Sequence, residues 1–353
     1  MRPCFLTTLL TALHLVACGP ETPERRILTD QWDTVDLIRP ESVDDTTLLF
    51  ISQVVPWKGT YAVQDGQNRN IRRVSTRGDL LWTFERPGEG PGEAQSLVSI
   101  QVGPNGRLWA YDYRGVKMLE LDGEGTVVRD RSLRGLPGIP TRFGFLGDKL
   151  VVTTQIPDPY MMVLDTGSLE LVRAVPWPWP EPATVHNNFH TVLAGGSDAL
   201  VLALMYGPGF MVLRGDEIER HRYIDPIPWQ RKFRMEDHAT GADSTRFGAV
   251  SIAVDNGRIY MLFGGRPYRA AHPFEPTTLI DVYGLDGSYI ESYRLPSHFE
   301  KMTRINGDFL LAEEAEDGMP QILRLSPKGI DPQRDDRSPP GIIRFYPLSV
   351  HPR

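Results

Sequence analysis

The stretch Gly106-Arg107-Leu108-Trp109-Ala110, followed by Asp122-Gly123, contains the unit that decides the fold. A glycine turn precedes a short run of alternating apolar residues, and a second glycine turn comes 17 residues later. A period of two is typical of a half-buried β-strand, and glycine readily takes the positive φ that tight hairpin turns need. The unit therefore predicts four antiparallel strands, with one turn joining the inner two and the other joining the outer two.

The same pair of turns recurs six times along the chain. The first turns, with the strands they open, are Gly59–Val63, Gly106–Ala110, Gly147–Val151, Ser197–Val201, Gly257–Met261 and Gly307–Leu311. The second turns are Arg77–Asp79, Asp122-Gly123, Thr166-Gly167, Arg214–Asp216, Asp286-Gly287 and Lys328-Gly329. A repeat of about 45 residues is typical of a propeller blade. We therefore predict an all-β, six-bladed β-propeller of four-stranded antiparallel blades; a β-sandwich with similarly spaced hairpins is the alternative.

A ring of blades must also close. Asp33 to Ile38 alternates like a strand ahead of the first repeat, and Gly341 to Leu348 follows the last repeat. We expect these terminal segments to meet in one blade.

The amino terminus predicts export and lipidation. Phe5 to Ala17 is apolar or small throughout except for His14, and it is too short to span a bilayer as a mature helix. Cys18 follows the small residue Ala17 and precedes Gly19, which fits a lipobox; an ordinary signal peptide with an incidental cysteine is the alternative. We predict a signal peptide over 1–17, a lipidated tether over 18–30 and one propeller domain over 31–353. Lipidation of Cys18, with palmitate among its acyl chains, would hold the protein at the membrane, and Gly19 rather than Asp favours the outer membrane.

Composition limits the possible functions. Cys4 and Cys18 are the only cysteines, so removal of the signal peptide and acylation of Cys18 would leave the folded part without a disulfide or a cysteine-bound metal. The net charge of −7 would become −8 with the loss of Arg2, and no Lys/Arg block resembles a nucleic-acid footprint. We expect no nucleic-acid partner and no cofactor.

One loop resembles a known family. Leu80 to Ala94 contains the run Gly88-Glu89-Gly90-Pro91-Gly92-Glu93, placed after a strand and before the next blade. It is similar to a loop of six-bladed β-propeller lipoproteins of environmental and gut bacteria, which are relatives of the NHL-repeat proteins. That family usually has an aromatic residue where this chain has Ala94, and the resemblance covers about half of the chain. It implies the fold and an envelope location, and no agreed activity.

Several segments carry candidate chemistry. His186 and His190 form a close histidine pair, but their segment lies between predicted strands and has no carboxylate, so we predict loop or channel residues and no metal site. Trp177 and Trp179, each followed by proline, would serve either as a platform for a sugar or peptide or as a plug between blades, which we favour. The segments 229–234 and 266–272 combine cations with aromatics, which suits an anionic partner and equally a solvated loop.

Function is therefore predicted only as a class. The favoured hypothesis is a binding or scaffold module for an envelope protein or a glycan, and the alternative is a metal-assisted hydrolase, lactonase or lyase with its site at the channel mouth. Enzyme activity stays uncertain and is the less favoured reading. We assign no catalytic residue and expect the binding residues on the face that carries the long loops. These candidates are Arg114, Tyr160, His190, Arg266 and Tyr268.

Overall fold

The computed structural model is all-β in the part of the chain that it describes. That part comprises residues 28–29, 32–38, 50–76, 78–180, 191–196, 198–227, 248–264, 277–314 and 320–328. In these residues no helix has the length and apolar character that a membrane span requires.

Twenty-five strands form six sheets in the described residues, each a blade of a β-propeller. The N-terminal strands are β1 (Leu28–Thr29) and β2 (Trp32–Ile38). Blade one contains β3 (Ile51–Trp57), β4 (Thr60–Asp65), β5 (Asn70–Val74) and β6 (Leu80–Phe84). Blade two contains β7 (Leu97–Val102), β8 (Leu108–Asp112), β9 (Lys117–Leu121) and β10 (Val127–Ser132). Blade three contains β11 (Pro140–Leu146), β12 (Lys149–Thr154), β13 (Met161–Asp165) and β14 (Leu171–Val175).

The other three blades continue the pattern. Blade four contains β15 (Thr191–Gly195), β16 (Leu200–Leu204), β17 (Gly209–Arg214) and β18 (Glu217–Arg222). Blade five contains β19 (Ala249–Asp255), β20 (Arg258–Phe263), β21 (Thr277–Gly284) and β22 (Tyr289–Phe299). Blade six contains β23 (Lys301–Ile305), β24 (Asp308–Glu314) and β25 (Pro320–Pro327). The predicted six-bladed fold is confirmed.

The ring closes through the amino-terminal segment. Strand β2 pairs antiparallel with β25 and so supplies the outer strand of blade six. Asp33 to Ile38, predicted as a closing strand, lies within β2 and confirms that half of the prediction. Gly341 to Leu348, the other predicted closing segment, lies outside the described residues, as does Gly329 of the sixth second turn.

One short strand lies within the range 18–30 that we predicted as a lipidated tether. Leu28 and Thr29 form β1, which pairs in parallel with β22. Strand β1 therefore adds a fifth strand to blade five. The outer strand of a blade has main-chain N–H and C=O groups without a partner on its outer side, and the main chain of an extended segment can form hydrogen bonds with them.

The core lies between the blades. Buried apolar side chains of the described residues form six clusters. Five clusters join two neighbouring blades, and the cluster between blades five and six also includes Met205 and Tyr206 of blade four. The cluster of Val63, Val74, Leu310 and Ile322, among others, joins blades one and six. A four-stranded sheet has two apolar faces, and stacking the sheets in a ring buries both of them.

Candidate functional site

The two faces of the ring carry different connections. On one face, here called the turn face, short turns join the first two strands of each blade, as at Lys58-Gly59, and the last two strands of blades one to five, as at Gly215-Asp216. The opposite face, here called the loop face, carries the connections between the middle strands and those between blades. Residues 85–96 and 133–139 are two such connections. We expected this division, because the paired glycine turns fall at alternate connections.

Three connections on the loop face touch one another beside blades two and three. Arg134 donates from Nε to the carbonyl of Gly115 at 3.4 Å, and the amide of Leu133 donates to the carbonyl of Val116 at 2.8 Å. Gln155 donates to the hydroxyl of Tyr113. These contacts join residues 113–116, 133–139 and 155–160 into one surface.

This surface, here called the loop-face patch, combines positive charge with exposed apolar side chains. Arg114 and Arg134 are exposed, as is Ile139 at 48% and Ile156 at 40%. Gly138 lies next to Ile156, because a Cβ on that glycine would stand 3.4 Å from the Ile156 side chain. Cationic and apolar groups side by side suit binding to another macromolecule.

The predicted binding residues fall into three groups. Arg114 is exposed on the loop face, as expected. Tyr160 is fully buried and packs edge-to-face against Trp177 with ring centroids 4.8 Å apart, so the structure corrects its expected place on a surface. Its sequence neighbours Asp158 and Pro159 indicate a loop, but the Tyr160 amide continues the sheet by donating to the Val175 carbonyl at 2.8 Å. His190, Arg266 and Tyr268 lie outside the described residues, as do His186 and residues 229–234.

The tryptophans of the Trp177–Pro180 segment fill the interface between blades three and four. Trp179 is 7% exposed and belongs to the apolar cluster that joins these blades, and Trp177 packs against the same cluster. These tryptophans therefore fill the space between two blades, as we predicted in preference to a platform for a ligand.

The glycine-rich loop at Gly88–Glu93 ties blade one to blade two. Glu93 accepts a hydrogen bond from the Gly90 amide at 2.8 Å, and Asp130 accepts one from the Gly92 amide at 2.7 Å. Lys117 donates to the Gly90 carbonyl at 2.9 Å and forms an ion pair with Asp130 at 3.0 Å. These contacts use polar groups of the loop to hold it against blade two, which is a structural role.

A repeated contact between blades was not predicted from the sequence. A side chain of one blade donates to carbonyls in the second turn of the next blade. The pairs are Trp82 with Gly123 at 2.9 Å, Arg129 with Thr166 at 2.8 Å, Arg173 with Asp216 at 2.9 Å and Arg214 with Leu285 at 2.6 Å. Three of the four donors are arginines and the fourth is a tryptophan. Trp82, Arg129 and Arg173 lie on the outer strands of their blades, whereas Arg214 ends the third strand of blade four.

A central channel with a cavity of about 520 Å³ runs between the first strands of the blades. The first strand of each blade contacts the first strands of both neighbours, in the order β3, β7, β11, β15, β19, β23 and back to β3. Its described walls are largely apolar and carry three cations, Arg142, Lys301 and Arg304. They carry no Asp, Glu, Asn or His.

This wall composition bears on the chemistry that the channel offers. Propeller metal sites of the lactonase type need several carboxylate, amide or imidazole groups converging on one point. The described walls provide no carboxylate or imidazole, and their side-chain amides are those of Gln53 and Gln101. Likewise, within the described residues, no three His, Cys, Asp or Glu side chains are grouped closely enough to hold a metal ion. The cations instead make the described part of the channel suitable for an anion.

Comparison with known proteins was made at the level of sequence and of structure. No protein-family model matches the sequence, and no curated protein matches it. Solved structures do resemble it. One, a protein of Bacteroides fragilis described as exported, has a TM-score of 0.57 at 10% identity and covers 86% of this chain and 99% of its own.

Two further structures extend this comparison. A member of the DUF4221 family from Bacteroides vulgatus has a TM-score of 0.56 at 9% identity and covers 84% of this chain and 96% of its own. A catalytically inactive virginiamycin B lyase from Staphylococcus aureus, solved with quinupristin, has a TM-score of 0.50 at 14% identity over 80% of this chain and 82% of its own. At such low identities, the similarity establishes a shared fold and does not extend to activity.

Proposed function

We propose that this chain is an exported lipoprotein whose β-propeller binds an envelope protein or a glycan through its loop face. The observation that carries the proposal is the loop-face patch, where Arg114 and Arg134 lie beside the exposed Ile139 and Ile156. A rigid ring holds these residues in place, which lowers the entropy lost when a partner binds.

The remaining predicted binding residues fall between strands whose described ends lie at the loop face. His190 falls in the sequence between β14 and β15, and Arg266 and Tyr268 fall between β20 and β21. The last residues of β14 and β20 and the first residues of β15 and β21 lie at the loop face. This supports Arg114, His190, Arg266 and Tyr268 as members of one binding face.

The location is proposed from the lipobox that ends at Cys18, and the similarity to an exported protein is consistent with it. Several acyl chains on Cys18 would hold the protein stably at a membrane, because each buried methylene contributes about 0.8 kcal/mol. Gly19 supports the outer membrane over the inner one.

Mass spectrometry of the mature protein tests the anchor. Wild-type protein should begin at an acylated Cys18, and Cys18→Ser should carry no acyl chain and leave the membrane fraction. A Cys18→Ser protein that still carries acyl chains would contradict the anchor. Recovery of the wild-type protein mainly with the inner membrane would contradict the proposed sorting.

Isolation of partners from solubilised envelopes tests the binding face. The tagged parent is compared with Arg114→Glu/Arg134→Glu on the loop face and with Asp148→Lys on the turn face, where the Asp148 side chain is 81% exposed. The loop-face variant should lose the protein or glycan that the parent captures, and the turn-face variant should retain it. Equal capture by all three proteins would contradict the proposal.

A further inference from the structure

One position in the first strand carries a polar or charged side chain that lines the channel in four of the six blades. Gln53, Arg142, Ser251 and Lys301 each lie four residues before the last paired residue of their strand, so they occupy equivalent positions near the loop-face end of the channel. A β-bulge precedes this position in blades one, three and five. All four residues line the channel.

In two blades the side chain at this position forms hydrogen bonds with the main chain of the neighbouring blade. Gln53 accepts a hydrogen bond from the Ile100 amide at 2.9 Å, across the interface between blades one and two. Ser251 donates to the Met302 carbonyl at 3.1 Å and accepts from the Met302 amide at 3.1 Å, across the interface between blades five and six. At this position a neutral polar side chain can therefore form hydrogen bonds with the neighbouring blade.

Arg142 occupies the same position but forms no hydrogen bond with the described residues of a neighbouring blade. Its one hydrogen bond, among the described residues, goes to the carbonyl of its own neighbour Thr141 at 2.9 Å. No described carboxylate lies within ion-pair distance of it. Burial lowers the pKa of the Arg142 guanidinium. A partly buried guanidinium, with five donors and one acceptor, has donors left for a ligand.

Arg304, at the other end of the channel, shows how this chain neutralises a cation that has a structural role. Its guanidinium lies 4.3 Å from the ring centres of both Tyr260 and Phe309, and its Nε is 3.6 Å from Asp255 Oδ2. Nε and Nη1 of Arg304 nevertheless have no hydrogen-bond partner among the described residues. In the same part of the chain, Arg142 has neither an aromatic platform nor a carboxylate of this kind, so its charge is available to an anion in the channel.

Lys301 adds a second charge from the opposite wall. Blades three and six are separated by two blades in each direction, so β11 and β23 face each other across the channel. Burial lowers the pKa of Lys301, the adjacent Glu300 raises it, and the positive charge of Arg142 lowers it. The two cations thus interact unfavourably, and an anion between them would relieve that repulsion.

We propose that the loop-face end of the channel binds a small organic oxyanion, a carboxylate or phosphate, through Arg142 with Lys301 on the opposite wall. A guanidinium matches both groups because it can donate two parallel hydrogen bonds. A cavity of about 520 Å³ is within the size range of small-molecule sites. Phe50, which is 37% exposed, lines the same cavity and offers an apolar surface to the rest of the ligand.

The site is independent of the partner proposed for the loop face, and its test uses the purified chain alone. Isothermal titration with inorganic phosphate and with citrate, at constant ionic strength, measures binding to the parent, to Arg142→Gln and to Arg131→Gln. Arg131→Gln removes the same charge from an exposed position on β10, the outer strand of blade two. We expect one saturable site in the parent, a loss of at least tenfold in affinity with Arg142→Gln, and no change with Arg131→Gln.

Two more variants keep the test decisive. Arg142→Lys retains the charge but not the paired donors, so it should bind several-fold more weakly than the parent. This variant provides the test if Arg142→Gln does not fold. Lys301→Gln should also weaken binding. The proposal is overturned if neither phosphate nor citrate binds the parent, or if the Arg142 variants bind as tightly as Arg131→Gln does. Phosphate binding without citrate binding, or the reverse, supports the site and identifies which oxyanion it prefers.

Discussion

Trp32 donates a hydrogen bond from Nε1 to the main-chain carbonyl of Arg294 at 2.9 Å. This bond joins β2, the outer strand of blade six, to β22 of blade five. The indole also packs against Tyr293 and Phe309, with ring centres 5.7 and 6.0 Å away. The residue that begins the closing strand is therefore anchored on both blades that it adjoins.

Trp32→Ala should weaken ring closure. The substitution removes the indole from the blade five–blade six cluster and breaks its hydrogen bond, and we expect a loss of about 2 kcal/mol in the free energy of unfolding, less than for a fully buried tryptophan. Urea denaturation measures it. Leu81→Ala, which shortens a side chain that is 48% exposed on β6, is the control and should cost much less. Equal losses for the two variants would contradict the anchoring role of Trp32.

Gly287 should tolerate alanine less well than Gly257. Both glycines have positive φ, +79° and +72°, so alanine at either should cost about 1 kcal/mol in backbone strain. A Cβ at Gly257 would meet nothing within 4 Å, whereas one at Gly287 would stand 1.9 Å from Nδ1 of His221 in blade four. Thermal or urea unfolding should therefore show a larger loss for Gly287→Ala.

A double variant separates the two contributions. His221→Ala removes the obstructing ring. In that background, Gly287→Ala should lower the free energy of unfolding by only as much as Gly257→Ala does in the parent. If Gly287→Ala destabilises no more than Gly257→Ala, the close approach of His221 to this turn is wrong.

His221 should make the fold less stable at acid pH. Burial lowers its pKa below the ordinary value of 6.5, and the nearby Glu219 and Asp286 only partly offset this. As pH falls, the unfolded chain binds a proton at this histidine before the folded protein does, so the free energy of unfolding decreases through and below pH 6.5. Urea denaturation at about pH 7.5 and about pH 5.5 measures the decrease. His221→Gln should lose less stability over this interval; an identical loss would contradict the prediction.

Arg173 should contribute to the contact between blades three and four. It donates to the Asp216 carbonyl at 2.9 Å and approaches the Asp216 carboxylate at 3.0 Å. Because Arg173 is 26% exposed and the carboxylate 93% exposed, we expect Arg173→Gln to cost only about 1 kcal/mol. Arg131→Gln, on the exposed part of β10, should cost close to nothing in the same unfolding experiment. Equal costs would show that the contact does not stabilise the ring.

The fold was predictable because its turns repeat. A tight hairpin favours glycine at positive φ, and Gly59, Gly106, Gly257 and Gly307 all have φ between 70° and 85° in the structure. The closing strand was predictable from its alternation. Strand β1 was not, because Leu28-Thr29 is too short for a period to be visible.

The candidate site was only partly predictable. Arg114 follows a strand and precedes a turn, which indicates a loop-face position, and the structure agrees. Arg142 and Lys301 were missed because their equivalence is visible only in the strand register, as the number of residues before the turn that ends the first strand. In blade three a β-bulge also precedes the position, and a bulge leaves no recognisable pattern of residues in the sequence. Tyr160 was misjudged because a tyrosine after Asp-Pro resembles a loop residue until the packing of Trp177 is known.

Site-specific photo-cross-linking in intact cells tests the central claim most directly, because it reports which face of the ring touches another molecule. A photoreactive amino acid replaces Arg114 on the loop face in one protein and Asp148 on the turn face in another. The account predicts a discrete cross-linked product from position 114 and none from position 148. Products from position 148 alone, or the same products from both positions, would contradict binding through the loop face.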